Sequence, residues 1–268
     1  MSDRPVTGVR VEHPAYGVLR AVTGAASVLL AENPSEMTLD GTNTWVLRAP
    51  DSASCVVVDP GPDDRRHLAR IADCGPVAKV LLTHGHPDHA EGARRFADMV
   101  KAPVLALDPA LRLGSEGLAD GEVLSVAGLE IRVLTTPGHT ADSLCLHIEH
   151  DTAPAILTGD TILGRGTTVV ERLGDYLGSL RRLAELAPGT TVLPGHGAEL
   201  SDAGDAARAY LAHREQRLAQ VRAAVERLGP EATARQIVEL VYADVDRSLW
   251  PAAEWSVSAQ LEYLRTGR

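Results

Sequence analysis

The sequence predicts an α/β fold with a small all-α domain at its C-terminal end. Over the first two hundred residues, short apolar runs alternate with turns rich in Pro, Gly and Asp, and helical patterns lie between some of them. After about Asp202 the pattern changes to long, arginine-rich helical periodicity. Mixed strands and helices indicate α/β layers, and the change of pattern indicates a second domain. We place the boundary between a large domain of residues 1–205 and a small one of residues 206–268.

The large domain contains eight apolar runs that we interpret as strands. In chain order they are TWVLRA, SCVVVDP, AKVLLT, PVLAL, EIRVLTT, LCLHIEH, PAILTGD and TTVLPGH. Amphipathic stretches between some of them predict helices at 63–74, 88–100 and 175–186. The small domain opens with AARAYLAHREQRLAQVRAAVERLG, which predicts one long helix ending at Gly229. Two shorter helices, ATARQIVELVYADV and PAAEWSVSAQLEYLR, complete it.

Composition excludes several classes of protein. With 268 residues, of which 44% are hydrophobic, the chain can bury a core. No apolar run approaches the roughly 20 residues that span a bilayer, and the N-terminal stretch has no secretory pattern. The three cysteines are scattered, which is typical of reduced thiols rather than disulfides. We therefore expect a cytoplasmic protein with no membrane partner.

The charge distribution argues against a general nucleic-acid binder. The net charge is −10. Residues 206–268 carry nine arginines against eight acidic residues, whereas the rest of the chain has a net charge of −11. An acidic large domain would repel a polyanion rather than attract it.

The stretch LLTHGHPDHAEG, residues 81–92, places four polar side chains of metal-binding type within six positions. His84, His86, Asp88 and His89 follow the predicted strand AKVLLT, and ligands of α/β proteins bind at strand ends. Imidazole and carboxylate groups are ligands of zinc and similar divalent metals. His84 and His86 can bind one ion, while Asp88 and His89 can face a second.

Three more strand-end turns carry side chains of the same kind. His139 lies in TTPGHTADS, Asp160 in ILTGDT and His196 in VLPGHG, each directly after an apolar run. One such turn is weak evidence, but four that agree are specific. The sequence therefore predicts a metal site built from several strand ends.

These seven residues resemble the ligand series of the metallo-β-lactamase superfamily. The segments NPSEMTLDGTNTWVL, GDTILGRGTTVVERLGDYLGSL and AHREQR resemble the lactamase-beta-like protein 2 group, which has a C-terminal domain of winged-helix type. The resemblance implies an αββα sandwich with metals at one edge, and Asp59 as a support of the ligand loops. The implied ligands are His84, His86 and His139 for one ion, Asp88, His89 and His196 for the other, and Asp160 as a bridge.

The resemblance implies a hydrolase with two zinc ions per chain, although iron or manganese could replace zinc. The ions would lower the pKa of a bridging water, and the resulting hydroxide would attack a carbonyl or a phosphorus. Asp88 is the expected catalytic residue, because it could orient the hydroxide and accept its proton. This group implies endonucleolytic cleavage of single-stranded RNA. The alternative is hydrolysis of a carbonyl substrate: a thioester, as in glyoxalase II relatives, a lactone or a β-lactam.

Further features bear on the substrate. Arg165, in LGRGTT, either faces an anionic substrate or belongs to an ordinary glycine-rich turn. The small domain ends where a winged helix would continue into wing strands, so we expect a missing or minimal wing, which weakens the case for RNA. Redox chemistry on iron is a third hypothesis. Binding without turnover is a fourth, and the complete ligand series argues against it. The expected partner is a small molecule or single-stranded RNA; a homodimer is compatible with the superfamily.

Overall fold

Two β-sheets lie face to face in the described part of the chain, residues 13–149 and 154–267 of a computed structural model. The first sheet contains β1 (Arg20–Ala21), β2 (Ala26–Leu30), β3 (Asn43–Leu47), β4 (Cys55–Val58), β5 (Val77–Leu81) and β6 (Val104–Leu105) in that order. The second contains β7 (Val123–Val126), β8 (Leu129–Thr135), β9 (Leu144–Glu149), β10 (Ala155–Gly159) and β11 (Thr191–Pro194). Strands β4 to β6 run parallel, as do β10 and β11, and the other pairs are antiparallel.

Strand β4 shows how the sequence builds the layers. Val56 and Val58 point into the core between the sheets, whereas Cys55 and Val57 point to the opposite face of the first sheet. Successive side chains alternate between faces, so a strand buried on both sides is apolar throughout. The continuous apolar run CVVV is therefore typical of a central strand that is buried on both faces.

Helices cover both outer faces. On the first sheet lie α1 (Arg65–Ala72) and α3 (Ala93–Val100), with a short helix, α2 (Pro87–Ala90), at the strand ends. On the second sheet lie α4 (Leu173–Ala184) and the start of α5 (Ala203–Leu228). The predicted αββα sandwich is confirmed. None of the helices in the described ranges has the length and hydrophobicity needed to cross a membrane.

The small domain is helical, as predicted. It contains the end of α5, then α6 (Ala234–Val241) and α7 (Trp250–Thr266), which enclose their own apolar cluster. Helix α5 is continuous across residues 205 and 206. Its first half packs on the second sheet through Ala203 and Ala207, and its second half packs on α6 and α7 through Val221. One continuous helix therefore contributes side chains to the apolar cores of both domains.

One predicted helix is interrupted, and three strands were not predicted. The helix expected at 88–100 is interrupted at Gly92, because the Gly92 N–H donates to Gly61 O (2.9 Å). Gly92 also lies close to two carbonyls: a Cβ at this position would be 2.9 Å from both Gly61 O and Pro62 O. Strands β1, β2 and β7 were not predicted. Residues 1–12, on which the expectation of no secretory signal largely rests, lie outside the described residues.

Candidate metal centre

All seven predicted side chains meet where the ends of the two sheets adjoin. His84 and His86 follow β5, and Asp88 and His89 lie in α2. The remaining three come from the second sheet: His139 from the turn between β8 and β9, Asp160 from the end of β10 and His196 from the end of β11. Their donor atoms form two groups, each with all atoms within 4.8 Å of one another. The first group is His84, His86, His139 and Asp160; the second is Asp88, His89 and His196.

In the first group, three imidazole nitrogens point at one another. His86 Nδ1 lies 3.1 Å from both His84 Nε2 and His139 Nε2. Zinc–nitrogen bonds of about 2.0–2.1 Å in tetrahedral geometry separate two ligand nitrogens by about 3.3 Å. The observed spacing fits three nitrogens around one ion.

The second group has the same spacing. His89 Nε2 and His196 Nε2 are 3.2 Å apart, and Asp88 Oδ2 lies 3.4 and 3.1 Å from them. Asp160 joins the groups, because its Oδ2 is 3.7 Å from His139 Nε2 and 3.4 Å from His196 Nε2. One carboxylate is therefore within reach of both positions.

Two observations indicate that the space between these atoms suits a cation. Asp160 Oδ1 is buried without a hydrogen-bond partner in the described residues; a buried acceptor left unpaired is rare. Gly195 lies against the site so closely that a Cβ there would be 2.6 Å from Asp160 Oδ1 and 2.7 Å from His89 Cε1. The donor set and the room around it fit divalent metal ions.

The ring nitrogens that face away from the centre have partners that hold the rings in place. His84 Nδ1 contacts Thr83 Oγ1 (3.0 Å), and His89 Nδ1 contacts Asp59 Oδ2 (2.8 Å). The same Asp59 carboxylate accepts hydrogen bonds from Thr83 N and Thr83 Oγ1, so it steadies a histidine of each group. Such outer partners orient ligands in metal sites.

His139 and His196 take their outer contacts from backbone carbonyls. His139 Nδ1 lies 2.7 Å from Val169 O, and His196 Nδ1 lies 3.1 Å from Gly41 O. Both contacts require the Nδ1–H tautomer, which leaves Nε2 free to bind a metal.

The electrostatics favour the metal-binding protonation states in the first group. Burial lowers the pKa of His84 well below its usual value and lowers that of His139, so both rings are neutral. Burial alone would raise the pKa of Asp160, but the nearby His196 and His89 outweigh it and hold the carboxyl ionised. Burial also lowers the pKa of His196, yet Asp160 and Asp88 outweigh it and raise the pKa to about 9. The second group thus attracts positive charge.

The arginines that flank the His196 turn are already paired. Arg165 forms an ion pair with Asp40, which directly precedes Gly41. Arg20 donates to both carboxylate oxygens of Glu199, at 2.8 and 2.7 Å. Arg165 therefore has a carboxylate partner beside the site, and 56% of its side chain stays exposed.

Two further residues support the ligand turns without belonging to the ligand series. Asn43 donates from Nδ2 to Pro194 O (3.0 Å) and Gly197 O (2.8 Å), on either side of His196. Ser143 closes the His139 turn, since its Oγ accepts from Thr140 N at 3.2 Å. No local sequence pattern links Asn43 to a turn about 150 residues away. Ser143, in contrast, lies in the same sequence motif as His139.

The two face-to-face sheets and the cluster of donor side chains at their edge agree with comparison with known proteins. Residues 37–196 match the Metallo-beta-lactamase superfamily, and residues 233–266 match the Beta-lactamase associated winged helix domain. The chain belongs to the metallo-beta-lactamase superfamily, which confirms the resemblance seen in the sequence. It is a hydrolase of this fold with a candidate metal site.

Individual relatives cover most of the chain. It is 30% identical over 264 residues to the Beta-lactamase-like protein 2 homolog of Drosophila melanogaster, spanning 91% of this chain and 88% of that one. It is 32% identical over 237 residues to the Atrochrysone carboxyl ACP thioesterase of Aspergillus fumigatus, spanning 80% and 72%. A crystal structure of a beta-lactamase domain protein from Burkholderia ambifaria superposes with a TM-score of 0.82 at 25% identity, covering 96% and 90%.

Proposed function

We propose that this chain is a dinuclear zinc hydrolase that cleaves acyl thioesters. The observation that carries the proposal is the convergence of seven donor side chains into two groups that share Asp160. Two divalent ions bound there would supply Lewis acidity and bring the pKa of a coordinated water towards 7. One ion would be held by His84, His86 and His139, the other by Asp88, His89 and His196, with Asp160 between them.

Asp88 is the proposed catalytic residue. Its side chain is 27% exposed, against 9% for Asp160, so it faces the opening of the site. Thr42 Oγ1 donates to Asp88 Oδ2 at 3.3 Å and helps to fix the carboxylate. Burial raises the pKa of Asp88, but His196 and His89 together outweigh burial, lower the pKa and keep the group ionised. An ionised carboxylate at this place can orient the attacking water and accept its proton at an Oδ atom.

The thioester is favoured by the charge around the opening. Hydrolysis adds water to the carbonyl carbon, breaks the carbon–sulfur bond and releases a carboxylic acid and a thiol. This chemistry needs no cations to hold a phosphate, and Arg20 and Arg165 are both occupied by carboxylates. The 32% identity to a protein named as an acyl-carrier thioesterase supports the same class of substrate.

Cleavage of single-stranded RNA is the second candidate. It is favoured by similarity to the Beta-lactamase-like protein 2 homolog over both domains, since the sequence resemblance to that group implied this activity. The paired arginines and the acidic large domain argue against it, because RNA binding depends on cations at several phosphates.

One experiment separates the two. Zinc-loaded protein is incubated with an acyl-N-acetylcysteamine thioester, with thiol release followed by a thiol-reactive dye, and in parallel with end-labelled single-stranded RNA. Asp88→Asn is the test variant, and Asp98→Asn, which removes an exposed carboxylate on α3, is its matched control. We expect thioester hydrolysis that falls about 10²-fold or more in Asp88→Asn. It should persist in Asp98→Asn and stop on chelation.

The opposite pattern would change the assignment. A wild-type protein that holds two zinc ions and leaves the thioester intact contradicts the proposal. If the same sample cuts RNA and Asp88→Asn does not, the second candidate replaces it.

A further inference from the structure

The orientation of His139 depends on a segment far from it in sequence. His139 Nδ1 contacts Val169 O at 2.7 Å and Thr168 Oγ1 at 3.0 Å. Both partners lie in the irregular segment 163–169, which follows the Asp160 turn and contains Gly164 and Gly166. A segment of this kind does not hold its own shape by backbone pairing, so its position must come from its neighbours.

Helix α5 supplies those neighbours. Tyr210 Oη accepts from Leu163 N (3.0 Å) and donates to Gly166 O (2.8 Å). One turn further along, Arg214 Nη2 donates to Thr168 O. The helix that leads into the small domain therefore fastens the segment at its start, its middle and the residue that touches His139.

Arg214 is unusual for a residue on a surface helix. It is only 7% exposed, its guanidinium lies 5.3 Å from the centre of the Tyr176 ring, and its Nε has no hydrogen-bond partner. Within the described residues, no carboxylate forms an ion pair with it. Burying a cation without a carboxylate is unfavourable, and one ring contact and one carbonyl offset only part of that penalty. Packing alone therefore does not explain an arginine here.

We propose that Arg214 is a positioning residue for His139, acting through Thr168, so that helix α5 sets the affinity of the first metal position. The proposal rests on the proposed metal centre. In this proposal, the part of α5 that leads into the small domain helps to orient His139. Arg214 holds the Thr168 carbonyl, Thr168 and Val169 then hold His139 Nδ1, and His139 Nε2 stays directed at His86 and Asp160.

The test measures metal binding without any substrate. Metal-free wild type, Arg214→Met, Arg214→Lys and the control Arg222→Met are each supplied with Co²⁺, whose absorption bands report the ligands around each ion. Arg222 is exposed on the same helix, so its variant makes the same chemical change away from segment 163–169. In Arg214→Met we expect one cobalt position to weaken about ten-fold with altered bands, while the other is unchanged. Arg214→Lys, which keeps a donor and the charge, should restore most of the affinity, and Arg222→Met should match wild type.

The outcomes are distinct. Two wild-type affinities and spectra in Arg214→Met would overturn the proposal while leaving the metal centre intact. Equal weakening of both positions, or equal effects in Arg222→Met, would show general destabilisation and overturn it as well. A wild-type protein that binds no cobalt would remove the centre and this inference together. If Arg214→Met does not fold, Tyr210→Phe tests the same helix–segment contact, with weakening of the first position expected and unchanged binding at that position contradicting the proposal.

Discussion

The two groups of candidate ligands are supported by different parts of the molecule. The second group rests on the first sheet: Asp59, at the end of β4, contacts His89, and Gly41, just before β3, contacts His196. In the first group, His139 rests on the irregular segment 163–169, which in turn rests on α5. One group is therefore secured within the sandwich, and the other depends partly on the helix that continues into the small domain.

Because their supports differ, the two candidate metal positions should respond separately to changes in those supports. A change at Arg214 should reach the first group through Thr168 and spare the second, and a change at the β3 end should do the reverse. Asp160, which lies between the groups, and Asp59, which supports His89 and, through Thr83, His84, should affect both. Substitutions at each support test this separation.

Asp160→Ala should abolish the separation. Removing the shared carboxylate takes a donor from both groups, so we expect both cobalt positions to weaken and hydrolysis to fall on the order of 10³-fold, beyond the 10- to 100-fold that outer partners cost. Metal analysis and steady-state kinetics measure this. A variant that keeps one position at wild-type affinity would show that Asp160 belongs to one ion only.

Gly195→Ala should damage the second group directly, through His89, and the first group through the shared Asp160. The new Cβ would lie 2.7 Å from His89 Cε1 and 2.6 Å from Asp160 Oδ1, so these side chains must shift. We expect about 10- to 100-fold weaker cobalt binding at the second position. Gly178→Ala is the matched control. Gly178 lies inside α4, and apart from the backbone of that helix no heavy atom lies within 4 Å of where its Cβ would be. It should keep metal binding and gain about 0.5–1 kcal/mol of stability. Normal binding in Gly195→Ala would mean that this edge of the site relaxes freely.

Asn43→Ala should loosen the His196 turn from the first-sheet side. It leaves Gly197 O without its donor, while Pro194 O keeps the hydrogen bond from Trp45 Nε1 at 3.0 Å. A buried acceptor left unpaired costs about 1–3 kcal/mol. Denaturant unfolding of the metal-free protein should show a loss of about 2 kcal/mol. Cobalt binding should weaken at the second position and stay normal at the first; weakening confined to the first position would refute the assignment of supports.

The smallest effect concerns pH. His67, on α1, is buried against Thr44, whose hydroxyl donates to Asp59 O at 2.7 Å. Burial lowers the pKa of His67 to about 4. Because the unfolded chain has a pKa near 6.5, it binds the proton first as pH falls, so the folded state loses stability between about pH 6.5 and pH 4. His67→Gln should remove about 1–2 kcal/mol of the loss between pH 7 and pH 5.

The measurement compares denaturant unfolding of the two proteins in chelator, so that the other histidines contribute equally and cancel in the difference. Parallel stability curves for wild type and His67→Gln would show that His67 does not titrate in this range. Metal binding at pH 7 should be the same in both proteins, since the ring only supports Asp59 through Thr44.

Much of the fold could be predicted because it follows from local patterns. Strand β4 alternates between two apolar layers, which makes CVVV apolar throughout and easy to recognise. Strands β1 and β7 were not recognised from the sequence, because β1 has two residues and β7 alternates between exposed and buried positions over only four. The break at Gly92 also escaped, because it depends on a hydrogen bond to Gly61 rather than on helical periodicity.

Local sequence patterns were enough to predict the class of site. His84, His86, Asp88 and His89 stand next to one another in the chain, and His139, Asp160 and His196 each end an apolar strand in a glycine-containing turn, so side-chain chemistry and strand pattern were enough to predict a metal centre. Their role as ligands stays a prediction. The contacts that hold these side chains in place became visible only in the three-dimensional structure. Thr168 and Arg214 come from distant stretches and meet because α5 packs on the second sheet. Such contacts leave no local pattern, since their energy comes from burial and hydrogen bonds between segments far apart in sequence.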